Sequence, residues 1–317
     1  MKQLIGYIKS YYKDEFKWQY ELFILLLALV LLYFNFFFPE TKNIHRTERW
    51  KDTTIFYHLL LYGIPLALSL FGLKLFYPKE ELTFLKNYKF WLTLLFGISI
   101  WSFRGSWPYL YNNHLLAGVQ RNTVEIESYY RIIYALIKTA IALVPLLLFW
   151  WFIDRSNQPL YGMSKGNLNL KPYLILLSLF IPVIAIASQD AGFLRTYPRS
   201  QIIKTLELFN PDHGKYLLTY EAIYILDFYV IELFFRGFMI LALLKFAGPK
   251  VILPTAIFYC CLHFGKPFGE AFSSLFGGTV LGIITYYSRS IWGGIIIHMG
   301  IAAAMEVCAY FTQLSQQ

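Results

Sequence analysis

Apolar stretches of about 20 residues recur along the chain, and they constrain its fold most, because a helix of that length crosses the hydrocarbon core of a bilayer. Helix breakers inside a stretch, such as Gly63 and Pro65, are tolerated in membrane helices whose neighbours satisfy the freed backbone groups. The predicted spans are 20–38, 54–76, 90–103, 129–153, 172–188, 220–244, 251–264, 271–287 and 291–311.

The composition agrees with these spans. Hydrophobic residues make up 57% of the chain and charged residues 15%, whereas about a quarter of a soluble domain is charged. The aromatic share of 20% fits lipid-facing helices with Tyr and Trp at their ends. The sequence therefore predicts an all-α, polytopic membrane helix bundle with about eight to nine transmembrane helices. The expected location is the bacterial cell (inner) membrane.

The net charge of +9 fits loop Lys and Arg residues that face anionic lipid headgroups. Nucleic-acid binding requires a clustered basic face, and the cations of this chain are spread over nearly every loop. The lipid bilayer is therefore an expected partner, and a nucleic acid is not. Three cysteines in apolar stretches form neither a disulfide framework nor a metal-type spacing.

The chain divides into four segments. Segment 1–19 places Lys between apolar residues at helical spacing, which predicts an interfacial, basic amphipathic helix. The five-span region 20–188 contains no motif that assigns it a role. A polar connecting segment, 189–219, separates it from the last region, 220–311.

Ionisable residues are concentrated in the last four predicted spans. Each such group costs about 2.5 to 3.5 kcal/mol on insertion scales, so its presence in a membrane segment requires a partner or a function. The earlier spans contain few of them, His58 and Lys138 among them. The later spans contain Asp227, Glu232, Arg236, His263, His298 and Glu306.

Part of this set suggests chemistry. Glu232 and Arg236 are four residues apart on one helix face and can pair, either to hold a reactive carboxylate or only to fix the helix register. His263 and His298 lie on two further spans. Two imidazoles and a carboxylate can activate a water by general base catalysis. Alternatively, Glu232, His263 and His298 can ligate a divalent metal such as zinc.

The order of these residues resembles that of the CPBP intramembrane proteases, a group that includes the type II CAAX prenyl endopeptidases and the bacterial Abi proteins. Residues 231–238, I-E-L-F-F-R-G-F, resemble the first motif of the family, E-E-x-x-x-R. Residues 259–263, Y-C-C-L-H, resemble the second motif, F-x-x-x-H. Residues 291–298, in which a Trp precedes a His, resemble the third. The resemblance covers about 220–311, under a third of the chain.

The resemblance implies a role for each matching residue. Glu232 and His263 would activate a water for attack on a peptide carbonyl. Arg236 would position Glu232, and His298 would stabilise the developing oxyanion, as preorganised donors do.

Two positions depart from the family pattern. Ile231 stands where the family has its first Glu, and Ala302 stands where it has an Asn four residues after the last His. Asp227 precedes Ile231 by one helical turn and is a possible source of the missing carboxylate. Tyr259, which replaces the Phe of the second motif, is a possible accessory residue.

The implied function is that of an intramembrane endopeptidase that hydrolyses peptide bonds of a peptide or membrane-protein substrate. Prenylated CAAX substrates are implied by the family alone. The two departures suggest an alternative, a catalytically inactive scaffold or binding protein with the CPBP fold. A transporter with a proton relay is a third class, but the chain shows no internal repeat to support it.

Overall fold

The computed structural model describes residues 2–38, 51–115, 117–118, 124–156, 159–164, 169–199 and 213–316. Within these ranges the chain is helical and contains no strand, which confirms the predicted all-α class. Part of the predicted connecting segment, 200–212, lies outside the described residues.

The described residues form twelve α-helices, numbered here in chain order. They are α1 (Lys2–Asp14), α2 (Trp18–Phe37), α3 (Thr54–Phe76), α4 (Tyr88–Leu110), α5 (Val124–Phe149), α6 (Lys171–Ala187), α7 (Ala191–Thr196), α8 (His213–Glu232), α9 (Leu243–Ala247), α10 (Ile252–Cys261), α11 (Phe268–Ser288) and α12 (Trp292–Ser315). A π-helical segment, Leu233–Ala242, joins α8 to α9. Short 3-10 or π-helical segments lie at Lys79–Lys86, Tyr111–Leu115, Trp150–Asp154, Leu160–Gly162 and Gly248–Val251.

Among the described helices, α2, α3, α11, α12 and the helix that runs Tyr129–Asp154 are long and apolar enough to cross a membrane. α6 is apolar but shorter. The chain is an integral membrane protein, whereas the predicted count of eight to nine spans is not confirmed. The predicted seventh span, 251–264, shows one reason. It contains α10, which is about 15 Å long and buried along its whole length.

The centre of the bundle is formed by α10 and the π-helical segment Leu233–Ala242, whose residues are all buried. α3 and α11 pack against α10, and α4 packs against the π-helical segment. On α4, the Trp101 ring stacks on that of Phe234 with centroids 4.3 Å apart. The N-terminal helices therefore enclose the region that carries the motifs.

The positions of α1 and α11 follow from close packing. α1 lies along α11, where Tyr7 stacks on Tyr287 with ring centroids 5.6 Å apart, so protein covers part of its apolar face. α11 approaches α10 closely because Gly278 has no side chain: a Cβ there would lie 3.2 Å from the Tyr259 ring. This contact brings α11 beside the end of α10, where His263 follows.

Candidate functional site

A cavity of about 470 Å³ lies between α8, α10, α11 and α12, and α6 supplies part of its wall. Its surface is mostly apolar, with Leu176 and Phe180 contributed by α6. Polar side chains also line it, namely Tyr197, Tyr224, Arg236, Tyr259, His263, Lys266, Glu270, Ser273, Ser274 and His298. The cavity thus combines an apolar wall with a cluster of groups that can transfer or donate protons.

His298 is the middle member of a hydrogen-bonded chain that leads from the core to the cavity. Its Nδ1 lies 2.8 Å from Oε1 of Glu232, and its Nε2 lies 3.1 Å from the hydroxyl oxygen of Tyr259. A carboxylate can only accept, so Nδ1 carries a hydrogen and donates it to Glu232. In the neutral ring, Nε2 then accepts from the Tyr259 hydroxyl.

Glu232 is the core end of this hydrogen-bonded chain and lies away from the cavity. Its side chain is fully buried and does not line the cavity, whereas that of Arg236 does. Oε1 of Glu232 lies 3.0 Å from Nη1 of Arg236, as the four-residue spacing predicts. A Cβ on Gly294 would lie 2.2 Å from Oε2 of Glu232, so the glycine leaves room for the carboxylate.

The buried ion pair leaves hydrogen-bonding capacity unused. Within the part of the chain that the structure describes, Oε2 of Glu232 and the three guanidinium nitrogens of Arg236 have no aligned hydrogen bond. The guanidinium of Arg236 instead lies over the ring of Tyr259, 4.7 Å from its centroid. Arg236 thus lies at the cavity surface, where its positive charge can act on a ligand.

His263 follows α10 in a tight turn and reaches the same cavity. Its Nδ1 lies 3.0 Å from the carbonyl oxygen of Tyr259. Because a carbonyl only accepts, Nδ1 carries the hydrogen of the neutral ring, and Nε2 keeps its lone pair. His263 is therefore held in the tautomer that a general base at Nε2 requires.

Three polar residues of the cavity that were not predicted as site residues form one cluster. Oε1 of Glu270, on the first turn of α11, lies 4.0 Å from Nε2 of His263 and 2.6 Å from Nζ of Lys266. The Tyr197 hydroxyl lies 3.2 Å from each oxygen of the same carboxylate. Burial lowers the pKa of Lys266, and the Glu270 carboxylate opposes that shift. Only the i, i+4 spacing of Lys266 and Glu270 was visible in the sequence.

Asp227 is not brought to the cavity. Its Oδ1 lies 2.6 Å from Nη2 of Arg104 and 3.1 Å from Oγ1 of Thr139, and its Oδ2 lies 3.2 Å from Nζ of Lys138. The third span was predicted to end at 103, but α4 continues through Arg104, which is buried because it pairs with Asp227. Asp227 thus joins α8 to α4 and α5.

Glu306, the last of the predicted ionisable residues, also makes its hydrogen bond outside the cavity. Its carboxylate accepts a hydrogen bond from the backbone N–H of Arg199 at 2.8 Å. It lies on α12 but does not line the cavity.

The arrangement of Glu232, His263 and His298 does not fit a zinc site. Among the described residues, no three His, Cys, Asp or Glu side chains are grouped closely enough to hold a metal ion. Both ring nitrogens of His298 already contact other side chains, and Glu232 is separated from the cavity. Metal dependence stays a prediction.

The site lies on the last helices of the chain, from α8 to α12. Residues 214–304 match the family model described as type II CAAX prenyl endopeptidase Rce1-like. The chain carries an Rce1-like region. This finding confirms the resemblance to the CPBP family seen in the motifs. No curated protein and no solved structure matches the chain. The Rce1-like region includes both cavity histidines, but α6, which forms part of the cavity wall, lies outside it.

Proposed function

We propose that the protein is an intramembrane peptidase that hydrolyses a peptide bond at the polar side of the cavity. The observation that carries this proposal is that one residue, Tyr259, holds both cavity imidazoles. Its carbonyl oxygen accepts from Nδ1 of His263, and its hydroxyl contacts Nε2 of His298. Two histidines with fixed tautomers at one cavity are suited to general acid–base catalysis.

His263 is the proposed general base. Its Nε2 takes a proton from a water whose oxygen attacks the peptide carbonyl carbon, and the carbonyl π electrons move to the oxygen. When the tetrahedral intermediate collapses, the C–N bond breaks and the imidazolium returns the proton to the leaving nitrogen. The products are a carboxylic acid and an amine, so atoms and charge balance.

Oxyanion stabilisation is the proposed role of His298 and Tyr259, with Arg236 supplying positive charge beside them. When His298 is an imidazolium, protonated on both nitrogens, its Nε2 would donate to the Tyr259 oxygen and leave the hydroxyl hydrogen free to donate to the oxyanion. Tyr259 would then supply a donor that the family places at the position of Ala302, which also lines this cavity.

Glu232 is the proposed positioning residue for His298. The sequence pattern predicted that it contacts the attacking water, but its burial and its 2.8 Å contact to Nδ1 of His298 favour an orienting role. A carboxylate on one imidazole nitrogen fixes the tautomer and the ring plane. Arg236 in turn holds the Glu232 carboxylate at 3.0 Å.

The proposed substrate is a peptide that ends in a prenylated C-a-a-X sequence, presented from the bilayer. The family match supports the peptide class, and the apolar cavity wall supports an apolar group beside the scissile bond. The bacterial inner membrane remains the predicted location.

The test is cleavage by the full chain in proteoliposomes. A farnesylated C-a-a-X peptide and its unprenylated counterpart are incubated with the protein, and products are identified by mass spectrometry. We expect release of the a-a-X tripeptide from the farnesylated peptide, and loss of release with His263→Ala. His114→Ala, which removes a solvent-exposed imidazole, is the control that keeps activity.

A non-catalytic binding protein is the second candidate, favoured by Ile231 and Ala302 at the two departing positions. It predicts that the farnesylated peptide binds and is recovered intact, with or without EDTA or added zinc. Binding without cleavage under all these conditions would therefore replace the peptidase proposal.

A further inference from the structure

The cavity contains a carboxylate for which the family pattern has no counterpart. Glu270 lies on the first turn of α11, seven residues after His263, and its side chain is 21% exposed. We propose that Glu270 is a further catalytic residue, which binds the attacking water together with His263 and replaces the carboxylate lost at Ile231. The proposal rests on the peptidase function proposed above.

The separation of the two groups supports a shared water. Oε1 of Glu270 and Nε2 of His263 are 4.0 Å apart, too far for a direct hydrogen bond. Both atoms are acceptors in the tautomer that Tyr259 imposes. A water that donates one hydrogen to each at about 2.8 Å spans about 4 to 4.5 Å. Its lone pairs then point away from both acceptors, toward a substrate carbonyl.

The surroundings of Glu270 hold the carboxylate in place. The ammonium of Lys266 lies 2.6 Å from Oε1, and the Tyr197 hydroxyl lies 3.2 Å from each oxygen. The same contacts restrict its rotamer, so Oε1 stays directed at His263.

The other acidic residues near the site are less suited to this role. Glu232 is fully buried and bonded to His298, and Asp227 is bonded to Arg104, Lys138 and Thr139. Within the described residues, Glu270 is the acidic side chain that lines the cavity.

In the proposed step, the water oxygen forms a bond to the carbonyl carbon while Nε2 of His263 receives one water proton. Glu270 accepts a hydrogen bond from the other water hydrogen and offsets the positive charge that develops on the imidazole. It takes no proton, and the imidazolium later protonates the leaving amine as described above.

The experiment compares Glu270→Gln and Glu270→Ala with wild type, using the farnesylated C-a-a-X peptide in proteoliposomes. We expect kcat to fall about 10²-fold with KM nearly unchanged, because the group contacts the water and not the substrate. Formate is expected to raise kcat of Glu270→Ala severalfold and to leave His263→Ala inactive. Glu81→Gln, at an exposed carboxylate that pairs with Lys250 outside the cavity, is the control carboxylate-to-amide change and keeps wild-type kcat.

The Lys266→Met variant distinguishes a catalytic role of Glu270 from a purely structural one. If the carboxylate only fixes the turn, Lys266→Met will lower kcat as much as Glu270→Gln, and formate will not raise the kcat of Glu270→Ala; this result overturns the proposal. Wild-type kcat in Glu270→Gln also overturns it, while the loss in His263→Ala keeps the peptidase function. An inactive wild-type chain overturns both.

Discussion

Two buried ionic clusters lie within ten residues of each other, on α8 and the π-helical segment, and they are built differently. In the Asp227 cluster, with Arg104, Lys138 and Thr139, each carboxylate oxygen contacts two donors, and among the described residues only Nε of Arg104 lacks a hydrogen bond there. In the Glu232 cluster, with Arg236, His298 and Tyr259, one carboxylate oxygen and the whole guanidinium lack an aligned hydrogen bond within the described residues. The first cluster borders a pocket of about 50 Å³, the second a cavity of about 470 Å³.

The difference favours a structural role for the Asp227 cluster and a catalytic role for the Glu232 cluster. A carboxylate with every lone pair engaged fixes the helices that surround it, here α4, α5 and α8, and offers nothing to a ligand. A cluster that borders a large cavity and keeps donors and acceptors available can bind substrate or water there. We therefore infer that Asp227 holds the bundle together and that Glu232 serves the reaction.

The largest expected effect is on stability, at the Asp227 cluster. Asp227→Asn leaves Arg104 and Lys138 without their shared carboxylate, which lowers the free energy of unfolding by about 3 to 5 kcal/mol. The kcat of the folded fraction is expected to stay at the wild-type value. Unfolding in mixed micelles and single-turnover assays measure the two quantities.

A compensating variant checks the cause of that loss. Replacing all three charged residues with Leu or Met of similar volume is expected to restore most of the stability, because no buried charge remains. A triple variant as unstable as Asp227→Asn would contradict the assignment.

The second prediction concerns the hydroxyl at the cavity end of the Glu232 cluster. Tyr259→Phe keeps the ring contacts to Arg236 and His263 but removes the donor, so kcat should fall about 10²-fold. The thermal midpoint is expected to change little. A large drop in stability with kcat preserved would make Tyr259 a packing residue.

A smaller effect on kcat is expected from a change of the Glu232 carboxylate itself. Glu232→Gln keeps an acceptor for Nδ1 of His298 but loses the charge assistance, which lowers kcat about tenfold. If Glu232→Gln instead reproduced the Asp227→Asn result, unstable but with kcat preserved, the contrast between the clusters would be lost.

The smallest expected effect comes from a variant that shifts the Glu232 carboxylate. Gly294→Ala places a Cβ within 2.2 Å of Oε2 of Glu232 and forces the side chain to shift, which should lower kcat about two- to tenfold. Gly63→Ala is the control, because an added Cβ there would lie more than 4 Å from every atom outside the nearby backbone of its own helix. Equal kcat values for both variants would show that the geometry of Glu232 does not matter.

The sequence predicted the helical class and the order of the motif residues, because both are local patterns. The span 54–76 coincides with α3, and Glu232 and Arg236 pair as their spacing requires. The span 251–264 was wrong in extent, because a continuous apolar run does not distinguish a helix inside the protein from one that faces lipid.

The sequence patterns could not predict contacts between segments that are far apart in the chain. Asp227 and Arg104 are 123 residues apart, and Tyr197 and Glu270 are 73 apart. Nothing local marks such pairs, since Arg104 follows an apolar run and Glu270 reads as an ordinary acidic residue in a first helical turn. The different surroundings of Asp227 and Glu232 therefore became visible only in the packed bundle.

The most direct test of the central claim is the single-turnover rate of farnesylated C-a-a-X peptide cleavage by His263→Ala and Asp227→Asn, each normalised to folded protein. The account predicts that His263→Ala loses about 10²- to 10⁴-fold in rate while Asp227→Asn cleaves like wild type. A His263→Ala protein that cleaves as fast as wild type would contradict it.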